Sequence, residues 1–427
     1  MEFLLQRHFL GIKNFDLLVK SPTEFEKRRS TFVGKTSEKK IVVPSSDYWE
    51  LTRLYRRPYR NFPPGKFKRA YEKVLNPSNE EGFRFPRDFP WKKVMPPGVY
   101  KKEIESLIFN LWEDYSSLDL RYYFNTFKRH NVVFKSLART AIDMKKYEVF
   151  VADGNESSSK TMLQTFAPAA QHKGVYYATR IKYDRFSAVT GRLTIKEGPG
   201  ILNLRKDYRQ VLTSKWGDDG GVYYIDFKSL EPRILLSLKE NSLKAPQDLY
   251  MFVAEQMGLD ENVDRQLIKT VIISMIYGAG DDELVRQLRG KIGYPEDFVN
   301  SIKEHFGVED LRNKLYEEYQ ANGGKFIYNK YGRPIFGEAV QPYVLVNYFI
   351  QSTAVDVALS GFSNIIERLI KAGGLSYVRP LFVLHDALIV DVHNKAKHLL
   401  PKMAKAGSIN IPGFENTRFW LDIERLS

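Results

Sequence analysis

Two strongly apolar runs, GVYYIDF (221–227) and LFVLHDALIVDV (381–392), each carry an aspartate at a strand end. The first reads as a buried strand that opens into a helix through Leu230, Ile234 and Leu235. The second reads as a hairpin of two hydrophobic strands turning at His385-Asp386. A carboxylate at the rim of a buried strand costs free energy unless a cation or a metal compensates it. Any fold for this chain must therefore bury both runs and still find a use for Asp226 and Asp386. Between them, residues 247–290 are strongly helical up to Gly290, and Tyr343–Leu369 is a long apolar helix. Strands and helices do not alternate regularly, which argues for an α+β fold rather than a parallel doubly wound sheet.

Composition narrows the classes. A chain of 427 residues with 43% hydrophobic and 27% charged residues has enough apolar side chain for a large core, so wholesale disorder is excluded. There is no cysteine, which removes disulfides, zinc fingers, iron–sulfur clusters and thiol nucleophiles together and suits an intracellular protein. No stretch approaches the roughly 18–20 apolar residues of a membrane span. The opening MEFLLQRHFLGIKNFDLL has charges within its apolar run and no small-residue cleavage site, so no signal peptide is expected.

Net charge is +14, and residues 1–100 hold 21 Lys+Arg against 11 Asp+Glu, or +10 of that surplus. Such an excess points to a polyanionic partner, nucleic acid first and an anionic membrane second. Prolines at 58, 63, 64, 77, 86, 90, 96 and 97 forbid long helices there, and the region is expected to be irregular. Within it, LTRLYRRPYRNFPPGKFKRAYEK (51–73) has eight basic residues, one acid and five aromatics. Arg56, Arg57 and Arg60 can neutralise phosphates while Tyr55, Tyr59 and Phe62 offer faces for base stacking. An extended arm packed on the main body fits the same tract. From Gly98 to about Lys146 the pattern is helical, with Ile104, Leu107, Ile108 and Leu111 on one face, and KGVYYATRIKYDRF (173–186) reads as a strand or hairpin.

Asp226 and Asp386, coming from separate strands, can face each other across a sheet. There they would hold two divalent ions about 3.5–4 Å apart, the arrangement used for in-line phosphoryl transfer. Oxygen ligands favour Mg²⁺, with Mn²⁺ as the alternative, over zinc. In RQLIKTVIISMIYGAG (265–280), Arg265, Lys269, Ile273 and Tyr277 recur every four residues and share one helical face. That face could hold a triphosphate at one end and stack a base and sugar at the other; an amphipathic helix with two solvated cations fits the same spacing. AVTGRLT (188–194) places a cation at a turn beside a β segment. No Walker loop and no HExxH is present.

In order, TGRLT, IDFKSLEPRIL, DLYMFVAEQMG with the RQLIK…YG helix, YGRP, NYFIQSTAVDVAL and VLHD resemble the polymerase domain of family A DNA polymerases, over about residues 173–392. The resemblance implies that Asp226 and Asp386 are the metal ligands and that Glu231 crowds the sugar 2′ position, excluding ribonucleotides. It implies phosphate binding by Arg265 and Lys269, with Lys269 a candidate proton donor to pyrophosphate, and a place for Tyr277 at the nascent base pair. Arg192 would touch the primer–template minor groove, Asn347 and Gln351 the template and primer, and His385 the primer terminus. Arg333 in YGRP is a weaker match, open between a structural role and a DNA-backbone cation. Three positions depart from the pattern: Ile273 where Phe or Tyr is usual, Tyr250 where a phosphate-binding His is common, and Ala387 where Glu is usual.

The implied architecture is a right hand with a largely antiparallel palm sheet. Its expected parts are a basic N-terminal region (1–100) that holds DNA, a thumb (101–172), palm (173–240 and 341–427) and fingers (241–340). The chain is too short for the nuclease domains many members carry, and the D-x-E from Asp422 to Glu424 fits a closing palm strand, so no proofreading is expected within it. Primer–template DNA and dNTPs are the implied partners, without a membrane; a primase, a helicase or a separate nuclease are open. The setting is expected to be intracellular and cytoplasmic, fitting a phage or mobile-element enzyme in its host. Two rival readings stand beside this one, a phage-type single-subunit RNA polymerase and a non-catalytic accessory subunit.

Overall fold

The computed structural model describes five short strands within residues 1–44, residues 94–99 and 102, and residues 122–427 apart from 154–156, 240–247, 261 and 338. Contacts divide the chain into two units, Met1–Leu120 and Arg121–Ser427, and the expected thumb span straddles that division. In the first unit, Phe3–Leu5, Leu17–Ser21 and Glu24–Lys27 form an antiparallel sheet, and Thr31–Lys35 pairs with Lys40–Pro44. The start of this region is therefore strand rather than irregular; the prolines behind that expectation all follow residue 57. The tract 51–73 with Arg56, Arg57 and Arg60 lies outside the described residues, as does the expected apolar face from Ile104 to Leu111.

The second unit is α+β, built around an apolar four-stranded antiparallel sheet, with a second four-stranded sheet of shorter strands formed by Leu212–Thr213, Ala141–Ile142, Val175–Tyr177 and Ala170–His172. The strands of the apolar sheet are β1 (Gly220–Phe227), β2 (Val378–Leu384), β3 (Ala387–His393) and β4 (Leu421–Arg425), in the spatial order β2-β3-β1-β4. The central strands are apolar on both faces because the sheet is covered on both. β4, LDIER, takes the edge, where alternating charges discourage further pairing. Register sets Asp226 of β1 opposite Ala387 of β3 on one side and opposite Asp422 of β4 on the other.

Helix α1 (Leu230–Ser237) follows β1 directly. The expected helical stretch 247–290 is three helices: α2 (Leu249–Gln256), α3 (Arg265–Ile276) and Asp281–Leu288. Aspartates define two of the starts, Asp248 accepting from the Met251 amide and Asp264 from the Gln266 amide. Helix α4 (Pro342–Lys371) is buried over most of Ser352–Ile366 and packs against Lys128–Ser136, Val308–Ala321, α1 and Leu400–Ser408. Gly361 permits the close approach. A Cβ there would lie 2.7 Å from both Phe227 Cζ and the Gly407 carbonyl, so α4 can lie against the end of β1 that carries Asp226.

One strand expectation is corrected. Val175–Tyr177 and Lys182–Asp184 belong to different sheets, the first pairing with Ala170–His172 and the second with Thr194–Glu197. The tight turn lies earlier than the pattern implied, at Lys173-Gly174, where both residues have positive φ and close the 170–177 hairpin. The 182–197 pair is joined by a longer loop that contains Thr190-Gly191-Arg192.

Candidate active site

The two aspartates meet. Asp386 lies in the two-residue connection between β2 and β3, and its carbonyl accepts from the Phe227 amide at 3.3 Å, one residue past Asp226. The backbone is strained on both sides of them: His385 (φ 56°) and Ser229 (φ 52°) are non-glycine residues in the left-handed region. Such conformations cost on the order of 1–3 kcal/mol each and persist where surrounding structure enforces them. Here β2 and β3 clamp His385, and the β1–α1 corner clamps Ser229.

Both carboxyls, with Asp422, line a cleft of about 820 Å³ between the sheet, α1, α3 and α4. Asp226 is pushed up to about 7 from 3.8, first by burial and then by the charges of Asp386, Asp422 and Glu424. Asp386 is also raised, again mainly by burial, with Arg192 and Lys269 pulling the other way. Burial and the neighbouring carboxylates therefore disfavour charge on Asp226, while Arg192 and Lys269 partly offset the burial of Asp386. Among the described residues no three His, Cys, Asp or Glu gather as a ready-made metal cage. Two carboxylates with hard oxygen donors still fit Mg²⁺, which usually keeps several waters and takes its remaining ligands from substrate phosphates.

The α3 stripe faces the same cleft. Arg265, Lys269, Ile273 and Tyr277 all line it, opposite Asp226 and Asp386. The helix buries Leu267, Ile268, Val271, Ile272, Met275 and Ile276 on its other side, so the cationic stripe is left to the cleft by the packing of the apolar one. Arg265 Nε donates to Asp248 at 2.7 Å and its guanidinium stands 5.2 Å over the Tyr250 ring. Tyr250 lines the floor of the cleft, almost fully buried, and hydrogen-bonds Ser229. Asp248 both caps α2 and pairs with Arg265, and the ion pair is half-exposed, so the cap carries most of its worth. Asp248→Ala is expected to lower stability by about 1 kcal/mol, read as a lower denaturant midpoint at unchanged slope.

At the other end of the stripe, Arg192 Nη2 donates to Glu231 Oε1 and lies against the Tyr277 hydroxyl, both at 3.1 Å. Burial raises the Glu231 carboxyl and Arg192 opposes that shift. A glutamate from α1, a tyrosine from the end of α3 and an arginine from the 185–193 loop thus form one group. On α4, Gln351 donates to Asn347 one turn earlier, and Gln351 reaches the cleft. His385 lines it too, with its imidazole held below the usual range by burial and by Arg192 and Arg209.

Three expected residues stand elsewhere than at the cleft wall: Asn347, which is tied to the cleft through Gln351, and two that are interior. Arg333 is 1% exposed in the core of the unit, which is the structural arm of its two expected roles. Ala387, 4% exposed, packs in an apolar cluster with Leu384 and Ile389, so the position where a glutamate is usual is an interior contact. Asp422 was read only as part of a closing strand; register brings it opposite Asp226, and Lys228 holds it at 2.7 Å. Alternation in LDIER puts Asp422 and Glu424 on one face, but only pairing with β1 reveals which carboxylate that face meets. Among the described residues no helix is long and apolar enough to cross a membrane.

Part of the chain is similar to known DNA polymerases. The curated DNA polymerase of Mycobacterium phage D29 is 28% identical over 178 residues, covering 39% of this chain and 28% of that protein. The DNA polymerase of Mycobacterium phage L5 is 28% identical over 217 residues, covering 48% and 33%. The match thus spans about a third of the length of these relatives. The solved POL domain of Pol1 from M. smegmatis, in complex with DNA primer-template and dNTP, aligns over 63% of this chain and 50% of its own at 19% identity, with a TM-score of 0.49. The family model for DNA polymerase family A matches residues 157–407, a span that includes both aspartates and the whole α3 stripe, and the chain belongs to that family.

Proposed function

We propose that this chain is a template-directed DNA polymerase that extends a primer with dNTPs in the cleft between Asp226, Asp386 and α3. The observation that carries the reading is one of opposites. Two carboxyls, both held above the usual carboxylate range chiefly by burial, face Arg265 and Lys269 across a cavity large enough for a nucleotide. That arrangement suits a substrate that is itself an anion bound through cations.

Asp226 and Asp386 are the residues that would hold Mg²⁺, with Mn²⁺ as the alternative. Divalent ions bound there supply Lewis-acid polarisation and neutralise charge on the phosphoryl oxygens. Lys269 and Arg265 bind the triphosphate, Arg265 exchanging Asp248 for a phosphate oxygen, and Lys269 gives a proton to the departing pyrophosphate. Glu231, braced by Arg192 and Tyr277, crowds the sugar 2′ position. Ile273 presents an aliphatic face to the sugar, and Tyr277 lies at the nascent pair. Asn347, Gln351, Arg192 and His385 line the path of primer and template. Tyr250 acts through Arg265, whose guanidinium it supports. Swinging α3 against the cleft couples correct pairing to bond formation. In the subdomain scheme, 241–340 are fingers and 173–240 with 341–427 the palm, while the basic excess of residues 1–100 adds phosphate contacts.

Primer extension on a primed template, with Mg²⁺ and either dNTPs or rNTPs, tests this directly. Incorporation of dNTPs in preference to rNTPs is expected. Extension from rNTPs alone would replace the reading with an RNA polymerase, and extension from neither pool would leave a nucleic-acid-binding subunit.

A further inference from the structure

Arg333 is an arginine enclosed by the protein, and its surroundings explain why it is an arginine. Its Nη2 donates to the Arg185 carbonyl at 2.5 Å, at the start of the loop that connects Lys182–Asp184 to Thr194–Glu197. Near the end of the same loop, Gly191 sits directly on the guanidinium: a Cβ there would lie 2.2 Å from Arg333 Cζ, and Gly191 has φ +77°. Nη1 is 3.4 Å from the Tyr122 hydroxyl and 3.8 Å from Asp356 Oδ1. Asp356 is itself fixed by Tyr122 (2.9 Å) and Asn329 (2.7 Å), and Asn329 Oδ1 accepts the Arg333 amide at 2.9 Å. One planar cation therefore bonds one end of the loop and supports the other.

The residue after Gly191 is Arg192, whose guanidinium bonds Glu231 and Tyr277. We propose that Arg333 is a positioning residue for sugar selection: it pins the 185–191 loop from below, so that Arg192 holds Glu231 against the 2′ position of the incoming nucleotide. Burying a guanidinium is costly, and a loop needing only apolar support would be served by Met or Leu. A flat, weakly hydrated fork does both jobs, stacking under a residue without a side chain while donating in its own plane. A lysine at 333 could do neither well. This inference rests on the reading of Glu231 as the sugar gate.

The test is the ratio of dNTP to rNTP incorporation on a primed template. Arg333→Lys and Gly191→Ala disturb the same contact from opposite sides, and each is expected to lower the ratio by about tenfold. In an Arg192→Ala background neither should lower it further, because the residue they act through is gone. A purely structural role would instead leave the ratio within twofold while lowering rate or unfolding temperature, and that result overturns the proposal. So does a full additional loss on top of Arg192→Ala. Should Arg333→Lys fail to fold, Gly191→Ala, on the loop itself, carries the test alone. Glu231→Ala is the reference. If it leaves selectivity unchanged, the gate reading falls and this inference with it; if it acts while Gly191→Ala does not, only the inference falls.

Discussion

Asp226→Asn is expected to abolish primer extension and at the same time to stabilise the metal-free protein. The first effect follows from removing a carboxylate that would hold the catalytic ions. Lewis-acid stabilisation is worth several kcal/mol, which at 1.36 kcal/mol per factor of ten is about 10³-fold in rate. The second follows from charge. In the folded chain the Asp226 carboxyl is pushed up to about 7 from 3.8, chiefly by burial and by Asp386 and Asp422 beside it. A carboxyl whose folded value lies above its unfolded one gives stability that is present below about pH 4 and is lost as pH rises through 7. At pH 7 the wild type therefore carries a penalty that asparagine removes. The tip of the side chain faces solvent across the cleft, so screening trims the gain to about 1 kcal/mol. Thermal unfolding in EDTA between pH 4 and 8 should show a falling curve for the parent and a flatter one for Asp226→Asn. Added Mg²⁺ should raise the parent's midpoint and leave the variant's unmoved. Retained turnover in Asp226→Asn would remove the metal assignment. A variant less stable than the parent at pH 7 would show that the cluster is not self-repelling.

Glu231→Ala should open the cleft to ribonucleotides. Its carboxylate is held between Arg192 and Tyr277 and stands where α1 meets the cleft. Truncation leaves space of the size of a hydroxyl, and Arg192 and Tyr277 without their shared acceptor. Discrimination between dNTPs and rNTPs should drop by about 10²-fold, the order that one steric contact supports. Glu231→Gln keeps the shape and should lose far less. Steady-state incorporation of one matched nucleotide from each pool gives the ratio. An unchanged ratio in Glu231→Ala would mean that the sugar is read by another group, and Ile273 on the facing helix would then be the next residue to vary.

The chemistry was most legible where it depends on local periodicity. Arg265, Lys269, Ile273 and Tyr277 share a face because a helix repeats every 3.6 residues, and the packing of the opposite apolar face leaves that stripe to the cleft. Asp226 and Asp386 stood out because a charge at the end of an apolar strand needs a reason. What local pattern could not supply was pairing. The turn at Lys173-Gly174 moved one hairpin toward the N-terminus and left Lys182–Asp184 to a different partner. Tyr250 and Arg265 are separated in sequence by a helix and a loop, so support of one by the other was not visible in either motif.

By itself the sequence determined the two palm strands with their aspartates, the cationic face of α3, the order of the motifs and hence the family. Each rests on an interaction between residues near in the chain or on the identity of a single side chain. The tertiary structure alone decided that Asp422 stands opposite Asp226, that Ala387 is an interior contact, and that Arg333 lies beneath Gly191 rather than on a DNA-facing surface. Strand register and the enclosure of a side chain are set by which distant segments share one core, and no window of neighbouring residues contains that information.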